Sequence, residues 1–299
     1  MRSASIALAR GEDDNNYIYN SEDYGREVPS FLTDSGLAAQ LGQLFPMLKH
    51  LRTIKGYSFT VNERAPRELF FTEIEQPVDR INFPNIKGAV EWSGSIRVNS
   101  YSAEQAKSIN YVGNESILVS EQLNQLKENK FWPISYARNA LGKEQKVQDK
   151  AQPHSATILL ATPSAEQPKL TVRWAVFLPL GEQDTSEEKQ VFEVAIAGNT
   201  SFDILLHGYF FIDAGRVGIH GRKSIGYRET LDIDSEDTAT QEWNRLLANE
   251  GTLPSLLTSV DLAATKWRLN TQQVDSLAWG IQQFFKTSYG EPLSRTDNE

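Results

Sequence analysis

The stretch SFDILLHGYFFIDAGRVGI, residues 201–219, carries apolar residues on both of its alternating sets. A strand of that kind has to be covered on both faces, so a chain containing it needs structure above and below a sheet. The segments before it supply neighbours. ATILLAT reads as a strand, and so does LTVRWAVFLPL, in which Leu170, Val172, Trp174, Val176, Leu178 and Leu180 alternate with Thr171, Arg173 and Ala175. VFEVAIA follows the solvated connection GEQDTSEEKQ.

The rest of the chain changes character by region. From Met1 to Ser35 seven acids face three arginines with little periodicity, which predicts an arm that is mobile or ordered through a partner. Leu37, Leu41, Leu44, Leu48 and Leu51 then recur at helical spacing, with Pro46 as a kink or break. YSFTV, ELFFTEI and GAVEWSGSIRVNS read as strands, Glu115 to Asn129 as a helix through Ile117, Leu118, Leu123 and Leu126, and GKEQKVQDKAQPH as a polar loop. After an acidic loop at Asp232 to Asp237 the pattern is helical. Trp243, Leu246 and Leu247 share a face, Pro254 restarts the helix, and a last helix capped by Asn270 or Thr271 carries Val274, Leu277, Ile281, Phe284 and Phe285.

These readings give an α+β fold. It has an arm at 1–35, a mixed N-terminal part at 36–142, and a sheet with C-terminal helices at 155–299, the middle of it a βαβ-containing part reaching about Gly221.

Composition removes several functions. The net charge of -9 opposes the counterion release that drives nucleic-acid binding, and the basic residues do not cluster. Without cysteine the chain has no disulfide, thiolate metal site or thiol nucleophile, which fits a reducing cytoplasm. The start is not a secretory signal, and WAVFLPL and ILLHGYFFI fall short of the ~20 residues of a membrane helix. The sequons at Asn114 and Asn199 are then chance matches.

Few motifs carry chemistry. Neither GxxxxGK[ST] nor GxSxG occurs, and WSGS around Ser93 does not replace the latter. His50, His154, His207 and His220 lack metal-ligand spacing, although His207 and His220 flank one turn and can approach each other there. Glu73 and Glu75 read as a solvated strand edge. Asp213-Ala-Gly-Arg-Val-Gly218 superficially matches a DxGxG adenine box, but what precedes it is strand where that box needs a helix bearing Glu and Asn. The other reading is a strand-ending turn in which Gly215 and Gly218 relax the backbone and leave room for a phosphate. Arg216 lies in this turn, where a planar guanidinium can be aimed at an anion. The same placement suits a capping or ion-pairing arginine.

One order of features is more specific. FLPL at Phe177 to Leu180, an acidic connection, FDILLHGYFFIDAGRVGI, and WNRLL leading into LPSLL resemble the region downstream of the ATP-binding module in sacsin-like proteins of the GHKL superfamily. The positions that match are Phe210, Phe211, Arg216, Ile219, Trp243, Asn244 and Leu247, within roughly Val172 to Leu257.

The resemblance implies a transducer-like, chaperone-like or defence-type role, in which Arg216 reaches the γ-phosphate of ATP and relays conformational change. No nucleotide-binding module is legible in the sequence. The resemblance therefore implies no cofactor in this chain itself, with ATP and Mg2+ held by a protein partner or further domain carrying the GHKL site. The alternatives are a non-enzymatic interaction or scaffold protein and a hydrolase whose site the sequence does not reveal.

Overall fold

A computed structural model describes residues 2–6, 17–20, 41–42, 45–47, 52–58, 67–75, 79–82, 90–100, 106–133, 136–138, 144–146, 151–176, 178–179, 191–212, 218–226 and 230–289. The fold is α+β, as the sequence leads one to expect. It divides into two compact units: Met1–Val78 with Gly94–Tyr111, and Asp79–Ser93 with Val112–Glu299. Strands β6 (Val90–Ser100) and β7 (Lys107–Ile117) each belong partly to both units.

In the first unit, β1 (Arg2–Ile6) pairs antiparallel with β2 (Tyr17–Asn20), so the segment read as an arm contains a short ladder. The remainder of that arm lies outside the described residues. So does most of the helix expected at Gly36 to Leu51, of which a helical turn at 41–42 and a 3-10 turn at Phe45–Met47 are described. Strand β3 (Thr53–Ser58) pairs antiparallel with β4 (Arg67–Ile74), which pairs in turn with β6. Leu69, Phe70, Ile96, Val98, Ile109 and Tyr111 are buried. Glu73 is not on a free edge, since β4 has a partner on both sides. Glu73 pairs with Arg97, and Glu75 accepts from Ser95 and Ser108 at 3.3 and 3.2 Å.

In the second unit, β5 (Asp79–Asn82) pairs with the Val90–Ser93 end of β6, and β8 (Tyr136–Arg138) forms a separate pair with β9 (Glu144–Lys146). Its main sheet is built on β10 (His154–Pro163), β11 (Lys169–Val176), β12 (Leu178–Pro179), β13 (Val191–Ala195) and β14 (Thr200–Gly208). β14 lies between β10, antiparallel, and β11, parallel; β12 and β13 share the other edge of β11. The described residues of the connection between the parallel pair are strands and a turn, where βαβ leads one to expect a helix. Short β-forming VFEVA is more easily held as a third strand on β11 than as a covering helix. β14 is buried on both faces as expected, by Phe202, Ile204 and Leu206 on one side and Leu205 and His207 on the other.

Glu115 to Ile117 belong to β7, and helix α1 is confined to Glu121–Glu128, capped by Ser120. The strand was hidden by Gly113 and Asn114, poor β-formers. Gly113 is there for packing: a Cβ would lie 2.3 Å from the Trp92 ring.

The second unit's remaining helices cover the face carrying Leu170, Val172, Trp174, Ile204 and Leu206. Helix α2 (Glu236–Leu246) starts at a Ser235–Thr238 capping box. It runs through a π-helical turn, Leu247–Thr252, into α3 (Leu253–Trp267), so Pro254 sits near a helix start that has no break before it. Helix α4 (Thr271–Tyr289) is capped by Asn270, whose Oδ1 accepts from Gln273 N at 2.9 Å. Its Leu277, Ile281 and Phe284 are buried, and at Gly280 a Cβ would lie 2.6 Å from Leu170. Among the described residues, no helix is long and apolar enough to cross a membrane.

The last residue of α4, Tyr289, has a buried hydroxyl with no hydrogen-bond partner, and burial pushes its ionisation upward. A phenol that resists ionisation when folded but ionises freely when unfolded loses stability as pH rises above its ordinary value of about 10. Tyr289→Phe, which removes an unsatisfied buried group, is therefore expected to keep or raise stability at neutral pH and to lessen the alkaline loss. Urea midpoints measured at neutral and alkaline pH check this.

Candidate functional site

The turn singled out in the sequence follows β14. Of its residues, Asp213, Gly215 and Arg216 lie outside the described residues, while Gly218 is described and buried. The two sides of its stem are described. Ile212 and Ile219 form an antiparallel bridge, and His220 N donates to Phe211 O at 3.0 Å. The described ends of the turn, 211–212 and 219–220, are thus paired as an antiparallel stem.

The stem is held by α2. Trp243 and Asn244 are fully buried. The Trp243 indole N–H donates to Tyr209 O at 3.0 Å. The Asn244 side chain accepts from Phe211 N through Oδ1 and donates through Nδ2 to Phe211 O and His220 O, each at 2.8 Å. An amide group has two donors and an acceptor in one plane, so it satisfies both strands of the stem at once. Hydrocarbon and rings fix the helix around it. Trp243 packs with Trp132 at 5.2 Å between centroids, and Lys127 lies 5.0 Å over its ring. Phe210 packs edge-on to Trp174 at 5.4 Å. At Gly208 a Cβ would lie 2.6 Å from Phe210 and 3.2 Å from Leu247, so the close approach of the strand end to the helix needs glycine.

Beyond the stem, Gly221 takes a φ of 67° and brings its backbone against Gln241. A 3-10 turn at Arg222–Ser224 follows, and Gly226 N donates to Asn249 Oδ1, from the π-helical turn, at 3.0 Å. Inside α2, Arg245 donates twice to Glu242, Nε to Oε2 and Nη2 to Oε1, both at 2.6 Å, and Leu231 N donates to the same Oε2 at 3.2 Å. The hydrogen bond to Glu242 raises the already high ionisation of Arg245, so its guanidinium stays charged.

His50 lies outside the described residues, and His207 and His220 have separate partners. His207 Nδ1 lies 3.2 Å from Ala175 O, while His220 faces Asp237 and Thr240 of α2. His154 Nε2 donates to Glu115 Oε1 at 2.7 Å, and its Nδ1 is buried without a hydrogen-bond partner. Its ring lies 6.1 Å from that of His207 and edge-on to Tyr209 at 5.3 Å. Among the described residues no group of three or more His, Asp and Glu is arranged to hold a metal ion.

Comparison with family models, with curated proteins and with solved structures found no match.

Asn244 was visible in the sequence as a match to a short motif, but its part in holding the stem was not, because it acts on residues 24 and 33 positions away. Glu115 with His154, 39 positions apart, gave no local signal either. Replacing Asn244 by Ala strands the Phe211 N–H and the His220 carbonyl, while Phe211 O keeps the His220 N–H, and each buried polar group left unpaired costs about 1–3 kcal/mol. The thermal midpoint of Asn244→Ala is expected to fall accordingly, and Asn244→Asp, which keeps the acceptor and loses the donors, to lie between.

Proposed function

We propose that this chain is a cytoplasmic, transducer-like module that works with a GHKL-type ATP site supplied by another domain or chain. In this reading Arg216 contributes its guanidinium toward the γ-phosphate, and the hairpin that carries it passes the movement on. ATP and Mg2+ come with the partner, and in this reading Gly215 and Gly218, as residues without a side chain, leave room beside Arg216 for a phosphate. The acidic net charge of -9 favours a protein partner over nucleic acid.

What carries the reading is the clamp of Trp243 and Asn244 on the stem at Tyr209, Phe211 and His220. A charge-stabilising group is effective when its geometry is paid for in folding and not at the moment of reaction. The stem meets that condition, since it is bound to a buried helix through backbone groups on both of its strands. The same clamp gives a route for movement. A displaced stem pulls α2, and α2 continues through the π-helical turn into α3 without a break. Such turns are frequent where helices adjust at functional sites.

The second reading, a non-enzymatic interaction or scaffold protein, is favoured by Trp279, which is 46 % exposed and lines an open cleft with Ala197, Thr271 and Asp275.

The two readings separate on one variant. In the complex with the ATPase partner, Arg216→Ala is expected to lower ATP turnover by about 10- to 1000-fold, as when one charge-stabilising group is lost. Stability is expected to stay within about 1 kcal/mol, as for a surface position, and Arg216→Lys to fall between, keeping charge without the fork. Intact turnover with a lowered melting midpoint would instead assign the arginine to the fold and leave the scaffold reading.

A further inference from the structure

We propose that the cleft between the first turns of α4 and the β13–β14 turn receives an arginine side chain of a basic protein partner, stacked on Trp279 and paired with Asp275. The cleft has a volume of about 540 Å3 and is lined by Ala197 of the turn and by Thr271, Gln272, Asp275, Ser276 and Trp279 of the helix. Those five helix positions recur at three- and four-residue spacing and form one stripe. The walls are set by the fold. Asn270 caps α4, the Gln273 amide donates to Thr200 Oγ1 at 3.1 Å just beyond the turn, and Gly280 lets the helix sit close on Leu170. A receiving site fixed in this way loses little freedom when it is filled.

Asp275 and Trp279 are four positions apart, and side chains at that spacing on a helix are neighbours, about 5–6 Å apart at Cβ. The Trp279 ring is left 46 % exposed, so a face of it is open to a ligand. Asp275 is the charged residue of the lining, and among the described residues no cation pairs with its carboxylate. An indole face attracts a cation, and a carboxylate beside it accepts hydrogen bonds from one. A guanidinium does both at once, since its plane can lie on the ring while its edge N–H groups reach the carboxylate. An ammonium is a point charge without that planar fork.

The uncompensated charge decides between a cation and a neutral occupant. A sugar stacked on the indole would take water from the carboxylate without supplying a counter-charge, and a charge desolvated without a partner is costly. An arginine replaces that water with N–H donors and a positive charge. The net charge of -9 acts in the same direction at longer range, drawing a basic segment toward the surface. The cleft involves neither Arg216 nor the stem, so this inference goes beyond the ATPase reading and does not depend on it.

Titration of the 15N-labelled full chain with an acetylated Gly-Arg-Gly amide tests this, followed through the Trp279 indole N–H and the Gln272 backbone amide. Both signals are expected to shift saturably, with a Kd on the order of 1–10 mM for one shallow contact. The same peptide with citrulline, which keeps the shape of arginine without its charge, should bind at least about twofold more weakly. Asp275→Asn should weaken the arginine peptide by about two- to fivefold, the weight of an exposed ion pair. Trp279→Leu, read at Gln272, should abolish saturable binding. Both substituted positions are exposed, and unchanged indole signals from the buried tryptophans verify the fold of each variant. No saturable shift with the arginine peptide, equal affinity for the citrulline peptide, or an Asp275→Asn or Trp279→Leu variant that titrates like the wild type would each overturn the proposal. A shift with methyl glucoside and none with the arginine peptide would overturn it in favour of a sugar.

Discussion

A chain that leaves a buried central strand and doubles back has to find partners for its amide and carbonyl groups, because an unpaired one in the interior costs as much as several good contacts contribute. After β14 α2 supplies several of those partners, the Trp243 indole to Tyr209 O and the Asn244 amide to the stem. Asn244 pairs with the N–H and C=O of Phe211 and with the C=O of His220, completing what the short Ile212–Ile219 bridge begins. The position of the hairpin thus depends on α2, and α2 in turn depends on the sheet beneath it, where Trp243, Leu246 and Leu247 are buried with Trp174 and Phe210.

Burial makes this arrangement firm. Water does not compete for the asparagine amide, and the low dielectric strengthens each bond within the network. The Glu242–Arg245 pair one turn away follows the same logic with charges, each carboxylate oxygen taken by a guanidinium N–H and one also by Leu231 N. Such a pair need not add stability over an apolar equivalent, but breaking it leaves a buried charge, so it fixes the loop before α2 in a single arrangement. The π-helical turn has a comparable use. Its Asn249 holds Gly226, so the segment leaving the hairpin is tied to the helix at two levels, through Asn244 and through Asn249.

Sequence periodicity reached the parts of this fold whose burial is repetitive. The doubly apolar strand, the stripe of Leu277, Ile281 and Phe284, and the Asn270 cap are all local patterns, and each has its counterpart in the structure. It missed β7 because Gly113 and Asn114 are poor strand formers whose presence answers to the Trp92 ring rather than to propensity. It misread Glu115 to Ile117 as helix because apolar Ile117 and Leu118 fall in step with Leu123 across a strand-to-helix boundary. The candidate site was legible only as a short motif of tryptophan and asparagine after a glycine-bearing turn. What joins the motif to the turn is hydrogen bonding over more than twenty positions, and no window of sequence carries that information.

The claim on which the rest depends is that the Asn244 side chain is a buried, bonded part of the hairpin stem. Its side-chain amide protons can be followed by 15N–1H spectroscopy after transfer of the whole chain into D2O. If Nδ2 donates to Phe211 O and His220 O as described, that pair of signals should persist alongside the slowest backbone amides of β14, since its exchange then requires the stem to come away from α2. Signals lost at the rate of a solvent-exposed asparagine would contradict the clamp, and with it the fixed placement of the hairpin.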